Sequence, residues 1–165
     1  MGLAYKNPYL INNRLADVIA AIQVMGTYKF YKLPFDKWAD RISGTTDSGI
    51  YWKEVFEEHP EFFRLDGNRE KASLVWRRQY PKRYHVDQEK KLSQSEYEKL
   101  SEKDKQERIS RVPLTSEDIK ALVSTAISLH SRALEEEKES RWWIPLLVSG
   151  GGGLLGALLG AFFRK

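Results

Sequence analysis

Twenty-two consecutive residues, Trp142 to Phe163 within "RWWIPLLVSGGGGLLGALLGAFFRK", carry no charge in a chain that is otherwise rich in it, 30% of all residues being Asp, Glu, Lys or Arg. As a helix the stretch would be about 33 Å long at roughly 1.5 Å per residue, close to a bilayer hydrocarbon thickness of about 30 Å. The sequence therefore predicts a single C-terminal transmembrane helix over 142–163. Arg141, Trp142 and Trp143 before it and Arg164-Lys165 after it fit membrane interfaces, where indoles favour the headgroup level. Gly152, Gly156 and Gly160 recur every four residues on one helical face, a small-residue pattern through which membrane helices associate, so a homo-oligomer is expected. The run Gly150 to Gly153 also permits a re-entrant hairpin, and the single span is the preferred reading.

The 140 or so residues in front are enough for one small domain with helical extensions. With no cysteine in the chain, disulfides, thiolate metal sites and cysteine nucleophiles are excluded together. The opening "MGLAYKNPYLINNRLADVIAAIQ" lacks a basic stretch followed by an uninterrupted apolar core. The expected placement is an inner or plasma membrane protein with its N-terminal domain in the cytoplasm.

Along residues 1–86 the periodicity changes several times. Leu15, Val18, Ile19, Ile22 and Met25 recur at three- and four-residue steps, predicting a helix from Asn12 or Asn13 to near Gly26. "TYKFYKL" suits a short strand. "PFDKWADRISG" predicts a second helix opened by Pro34 and stopped at Gly44. "IYWKEVFEEH" predicts a third, ending at Glu58 or His59 because Pro60 disfavours helical geometry in the residue before it. "EFFRL", "DGNREK" and "ASLVWRRQ" then read as strand, turn and strand, with Ala72, Leu74 and Trp76 alternating against Ser73, Val75 and Arg77.

This succession of helix, strand, two helices and hairpin, with "WKEVFEEHPEFFRL…ASLVWRR" as its most specific stretch, resembles the winged helix-turn-helix superfamily over residues 12–80. The resemblance implies a fold that is mainly α with a small β-hairpin, and a third helix able to enter a DNA groove. That helix departs from a DNA reader: residues 47–61 carry Asp47, Glu54, Glu57, Glu58 and Glu61 against Lys53 alone. A phosphate backbone would repel it.

Residues 87–114 are nearly all charged or polar and read as a charged linker or exposed helix. From Thr115 to residue 141, Ile119, Leu122, Val123, Ala126, Ile127, Ala133 and Leu134 follow helical spacing, and Thr115 with Asp118 resembles a capping box. This amphipathic helix is expected to pack on the front domain or on a second copy of itself.

His59, His85 and His130 are far apart, with no metal-ligand spacing among them, and no phosphate-cradling loop or nucleophile motif is present. No enzymatic activity, cofactor or metal is expected. The leading expectation is a membrane-tethered, non-enzymatic adaptor or regulator that binds a protein partner through Tyr51, Trp52, Glu54 and Glu58 of the acidic third helix. One alternative is a membrane-bound DNA-binding regulator or tether. It would use the basic run of Arg69, Lys71, Arg77, Arg78, Lys82 and Arg83, which is equally suited to anionic lipid. The other is a membrane-disrupting effector whose front domain senses or restrains the tail.

Overall fold

The computed structural model describes residues 7–140. After a 3-10 turn at Pro8–Leu10, helix α1 runs over Arg14–Thr27, strand β1 over Lys32–Pro34, helix α2 over Phe35–Ser43 and helix α3 over Gly49–Glu58. Strands β2 (Phe63–Leu65) and β3 (Lys71–Leu74) follow, then a 3-10 turn at Trp76–Gln79. The remainder comprises β4 (Tyr84–His85), β5 (Lys90–Lys91), α4 (Gln94–Glu98), α5 (Glu102–Glu107), β6 (Ile109–Ser110) and the long α6 (Ser116–Ser140).

Helix α1 buries Val18, Ala21, Ile22 and Met25, the positions its three-and-four spacing places on one face. Helix α2 stops at Gly44, whose φ of 74° is a left-handed conformation that glycine adopts without a Cβ clash. Trp38 of α2 is fully buried, and its indole N–H donates to the Ala72 carbonyl at 2.9 Å, which fixes the helix against the sheet. Phe56, Phe62 and Phe63 fill the space between α3 and β2, with the Phe56 and Phe63 ring centroids 4.9 Å apart. The first sheet is antiparallel in the order β1-β3-β2, and its register aligns Lys32, Ser73 and Arg64 in one row.

The expected class, mainly α with one hairpin followed by a transmembrane helix, requires correction. The described residues form a mixed fold of helices and two three-stranded sheets, the second antiparallel in the order β5-β4-β6. It arises within and beside residues 87–114, which read as a linker because their strands are only two residues long and cannot display a two-residue period. Its apolar residues are few, but Val86, Leu92 and Ile109 are all buried. As to the predicted span, no helix among the described residues is long and apolar enough to cross a membrane, and 142–163 lies outside them.

The expected second hairpin strand is also shorter than its alternation suggested. It ends at Leu74, and from Val75 the backbone turns into the 3-10 segment, which redirects Arg77 from the solvent face into the interior. Helix α6 packs along α1 and the N-terminal 3-10 turn, burying Ala126 and Ala133. Its start carries the reciprocal cap: the Asp118 amide donates to Thr115 Oγ1 at 3.2 Å, and the Thr115 amide to Asp118 Oδ2 at 3.1 Å.

Candidate functional site

Three of the four residues expected to form a partner-contact face on α3 serve the fold itself. Trp52 is buried, with its indole N–H donating to Ser43 Oγ at 3.1 Å. The Tyr51 hydroxyl donates to the Asp17 carboxylate, and the Arg14 guanidinium lies 5.5 Å above the Tyr51 ring. Burial, then the bond to Asp17, pushes the Tyr51 phenol up to about 12. Glu58 pairs with the nearly buried Arg14 at 2.9 Å. The bonds of Tyr51 and Glu58 tie α3 to α1 along a polar seam, that of Trp52 ties it to α2, and Glu54 alone of the four stays exposed without such a bond.

The basic residues separate in the same way. Arg77 is wholly buried; its guanidinium donates to the carbonyls of Met25 at 2.9 Å, Tyr28 at 2.6 Å and Arg111 at 2.6 Å. Met25 lies in the last turn of α1, where carbonyls lack helical partners and the helix dipole is negative, so a cation is suited to both needs. Burial lowers the Arg77 pKa to about 10, which leaves the side chain protonated at neutral pH. Arg69 pairs with Glu57 at 2.7 Å, Arg83 donates to Gln94 at 3.2 Å, and Lys71 and Lys82 are half-buried. Arg78 is exposed. Arg141, Trp142, Trp143, Gly152, Gly156 and Gly160 lie outside the described residues.

What the structure does bring together is a groove of about 730 Å³ beside β2. Phe56, Glu57 and Pro60 line it at the end of α3, Asp66 and Gly67 at the hairpin turn, and Tyr31, Lys32 and Arg78 from the far side of the sheet. Lys32 and Arg64 flank Ser73 on the sheet face turned away from the core, and Arg78 reaches Ser73 Oγ at 3.4 Å. The acids in the groove are already engaged: Glu57 by Arg69, and Asp66 by Lys32 at 4.0 Å. Burial pushes the Asp66 carboxyl up, but the amides of Glu70 and Lys71 and the neighbouring lysines outweigh it and hold the group below the usual carboxylate range. Arg64 and Arg78 therefore remain as exposed cations with no carboxylate partner among the described residues. Arg64 is not among the basic residues singled out from the sequence. Its signal was the alternation of "FFRL", which puts Arg64 on the face opposite Phe63.

A second polar cluster runs from the interior, at His59, to the surface, at Glu61. His59 is fully buried, with Nδ1 3.1 Å from Glu61 Oε1 and Nε2 without a hydrogen-bond partner. The Tyr9 hydroxyl donates to the same Glu61 oxygen, the Tyr9 and His59 rings meet edge to face at 4.6 Å, and His130 Nδ1 lies 2.8 Å from the Tyr9 carbonyl. Among the described residues no group of three or more His, Asp or Glu side chains is placed to hold a metal ion.

The chain matches no protein-family model, no curated protein and no solved structure. Comparison assigns no family. The groove and its two unpartnered arginines are therefore the firmest geometric ground for a function.

Proposed function

We propose that the chain is a non-enzymatic adaptor that binds an acidic protein partner at the groove beside β2 and is held at a membrane by its charge-free C-terminal sequence. The observation that carries this reading is the pair Arg64 and Arg78: both exposed, both without a carboxylate partner among the described residues, and both lining the groove together with the exposed Pro60 and the half-buried Leu65. Two unpaired cations in a groove attract carboxylates and steer their approach. The front of the chain resembles a winged helix-turn-helix domain in its order α1-β1-α2-α3-β2-β3, but a DNA-binding role has little support. Arg77, the middle of the basic run, is consumed inside the fold, and α3 presents Glu54 and Glu57 to solvent. The uncharged 142–163, bracketed by Arg141 and Arg164-Lys165, supports membrane attachment.

The test uses the full chain in detergent micelles, titrated by fluorescence anisotropy with labelled acidic peptides, basic peptides and duplex DNA. Acidic peptides are expected to bind, and the pair Arg64→Glu and Arg78→Glu to weaken them at least tenfold. Tighter binding of duplex DNA than of any acidic peptide would replace this reading with nucleic-acid recognition. Membrane attachment is read separately: the full chain is expected in the membrane pellet of a detergent-free lysate, and recovery in the supernatant would remove that part of the proposal.

A further inference from the structure

Strand β2 is one of the two edges of the first sheet, the other being β1, whose last residue is Pro34. In the order β1-β3-β2, strand β2 has a neighbour on one side only. The bonds that bracket it, Val75 N–H to Phe62 O at 2.8 Å and Asp66 N–H to Lys71 O at 2.9 Å, set the phase of the ladder. In an antiparallel pair the bonded positions alternate, so Phe62, Arg64 and Asp66 turn their amides and carbonyls toward β3 while Phe63 and Leu65 turn theirs away. The Phe63 N–H is taken by the His59 carbonyl at 3.0 Å. The Phe63 carbonyl and the Leu65 amide and carbonyl are left facing the groove side, a set of one donor and two acceptors at strand spacing.

An exposed edge of this kind is a template for another strand unless it is guarded, and the usual guards are charges and short length. Charge is present here, but of one sign. Arg64 points to the outer face, where Lys32 and Arg78 join it, whereas Phe63 and Leu65 point to the inner face beside Phe56. A strand laid against β2 would meet cations on one face and, on the other, the half-buried Leu65 and the exposed Pro60, since Phe56 and Phe63 are already enclosed in the core. The side chains of such a strand alternate between those faces by the two-residue period.

We propose that the groove takes an extended segment of a protein partner, with acidic and apolar residues in alternation, which adds to the edge of β2 as a fourth strand. This rests on the acidic-partner reading above and specifies how that partner is held. Main-chain bonds to Phe63 and Leu65 supply register, carboxylates meet Arg64 and Arg78, and the apolar residues lie toward Leu65 and Pro60. With β2 only three residues long, the bound core spans about four residues of the partner.

The probe is a fluorescein-labelled octapeptide alternating Glu with Val, titrated against the full chain in detergent micelles. Its controls are a Lys-Val octapeptide and two Glu-Val versions, each N-methylated at one of the two alternating sets of positions. The Glu-Val peptide is expected to bind and the Lys-Val peptide not to. One N-methylated version should lose at least tenfold while the other stays within twofold, because only one set faces β2. Arg64→Gln, an exposed substitution, should weaken binding at least fivefold with an unchanged melting temperature. Loss of binding to neither N-methylated version overturns strand addition while leaving the acidic partner in place. No binding of any acidic peptide overturns both and assigns the cations to guarding the edge. Preference for duplex DNA, abolished by Arg64→Gln, overturns both in favour of nucleic acid.

Discussion

The Arg77 guanidinium donates to the Arg111 carbonyl at 2.6 Å, and Arg111 returns the bond by donating to the Arg78 carbonyl at 2.6 Å and to that of Tyr80. The Arg111 guanidinium also lies 4.9 Å above the Tyr31 ring. Two arginines thereby hold three chain segments that share no sheet: the end of α1, the 3-10 turn after β3, and the strand exit after β6. The two sheets are also linked by the Tyr31 amide, which donates to Ser110 Oγ at 3.0 Å. The second sheet is thus joined to the first through polar groups, and its buried Val86, Leu92 and Ile109 do not belong to the main core cluster.

Replacing Arg77 with Met keeps much of the volume but leaves the Met25, Tyr28 and Arg111 carbonyls without their donor. A buried acceptor left unsatisfied costs about 1–3 kcal/mol, so Arg77→Met is expected to lower stability by about 3 kcal/mol or more. Arg77→Lys should recover only part of this, since one ammonium cannot copy the planar fork that reaches both Tyr28 and Arg111. Arg78→Met, at an exposed position, should change stability by about 0.5 kcal/mol or less. Urea midpoints of the three variants decide the matter, and equal losses at 77 and 78 would contradict the buried assignment.

The contrast between those neighbours marks where the sequence was legible. Helices α1, α2, α3 and α6 announced themselves through apolar spacing and through Gly44, Pro60 and the Thr115–Asp118 pair, all local signals. Arg77 and Arg78 look alike in sequence, because what separates them is a turn that begins one residue after Leu74 and a set of carbonyls about fifty residues upstream. The second sheet was illegible for a related reason. Its two-residue strands, flanked by charges, owe their order to pairing of Tyr84 with both Lys91 and Ser110, and no local window contains that pairing. Likewise Tyr51, Trp52 and Glu58 read as a surface because their partners, Asp17, Ser43 and Arg14, belong to other helices.

At Gly26, helix α1 comes close against the start of α6. A Cβ placed there would lie 3.1 Å from Ile119 Cγ1 and 3.3 Å from its Cδ1, while the Gly26 carbonyl accepts the Leu114 amide at 2.9 Å. Alanine gains helix propensity of roughly 0.5–1 kcal/mol over glycine, which offsets the small displacement of Ile119. Leucine has no such room. Gly26→Leu is expected to destabilise by about 1–3 kcal/mol, the usual cost of overpacking, and to raise amide exchange over residues 114–123. Gly26→Ala should be close to neutral, and a large loss for alanine would mean that α6 cannot shift at all.

The cap at the start of α6 offers a test of coupling. Thr115→Ala and Asp118→Ala each remove one half of a reciprocal pair, and each is expected to cost about 1 kcal/mol. The double variant should cost clearly less than the sum, because either change alone already breaks the box. Additive losses in a double-mutant cycle would show that the two bonds act independently.

Glu61, at the solvent edge of the cluster it forms with His59 and Tyr9, connects that cluster to pH. Burial alone would raise its carboxyl, but hydrogen bonds from His59 and Tyr9 outweigh that and hold it below its ordinary value of 4.5. The folded chain therefore binds fewer protons at this site than the unfolded chain. The resulting stabilisation is present above pH 4.5 and is lost as pH falls through the lower folded value. Tyr9 behaves in the opposite sense: burial, then its bond to Glu61, raises the phenol far above 10.0, so its contribution is present below that pH and is lost as pH rises past it. Glu61→Gln should flatten the acid limb of stability against pH, and Tyr9→Phe the alkaline limb. Urea midpoints from pH 3 to 11 distinguish the two variants. An acid limb unchanged in Glu61→Gln would place the acid sensitivity in other carboxylates, of which Asp66, held low by the Glu70 and Lys71 amides, is the next to replace.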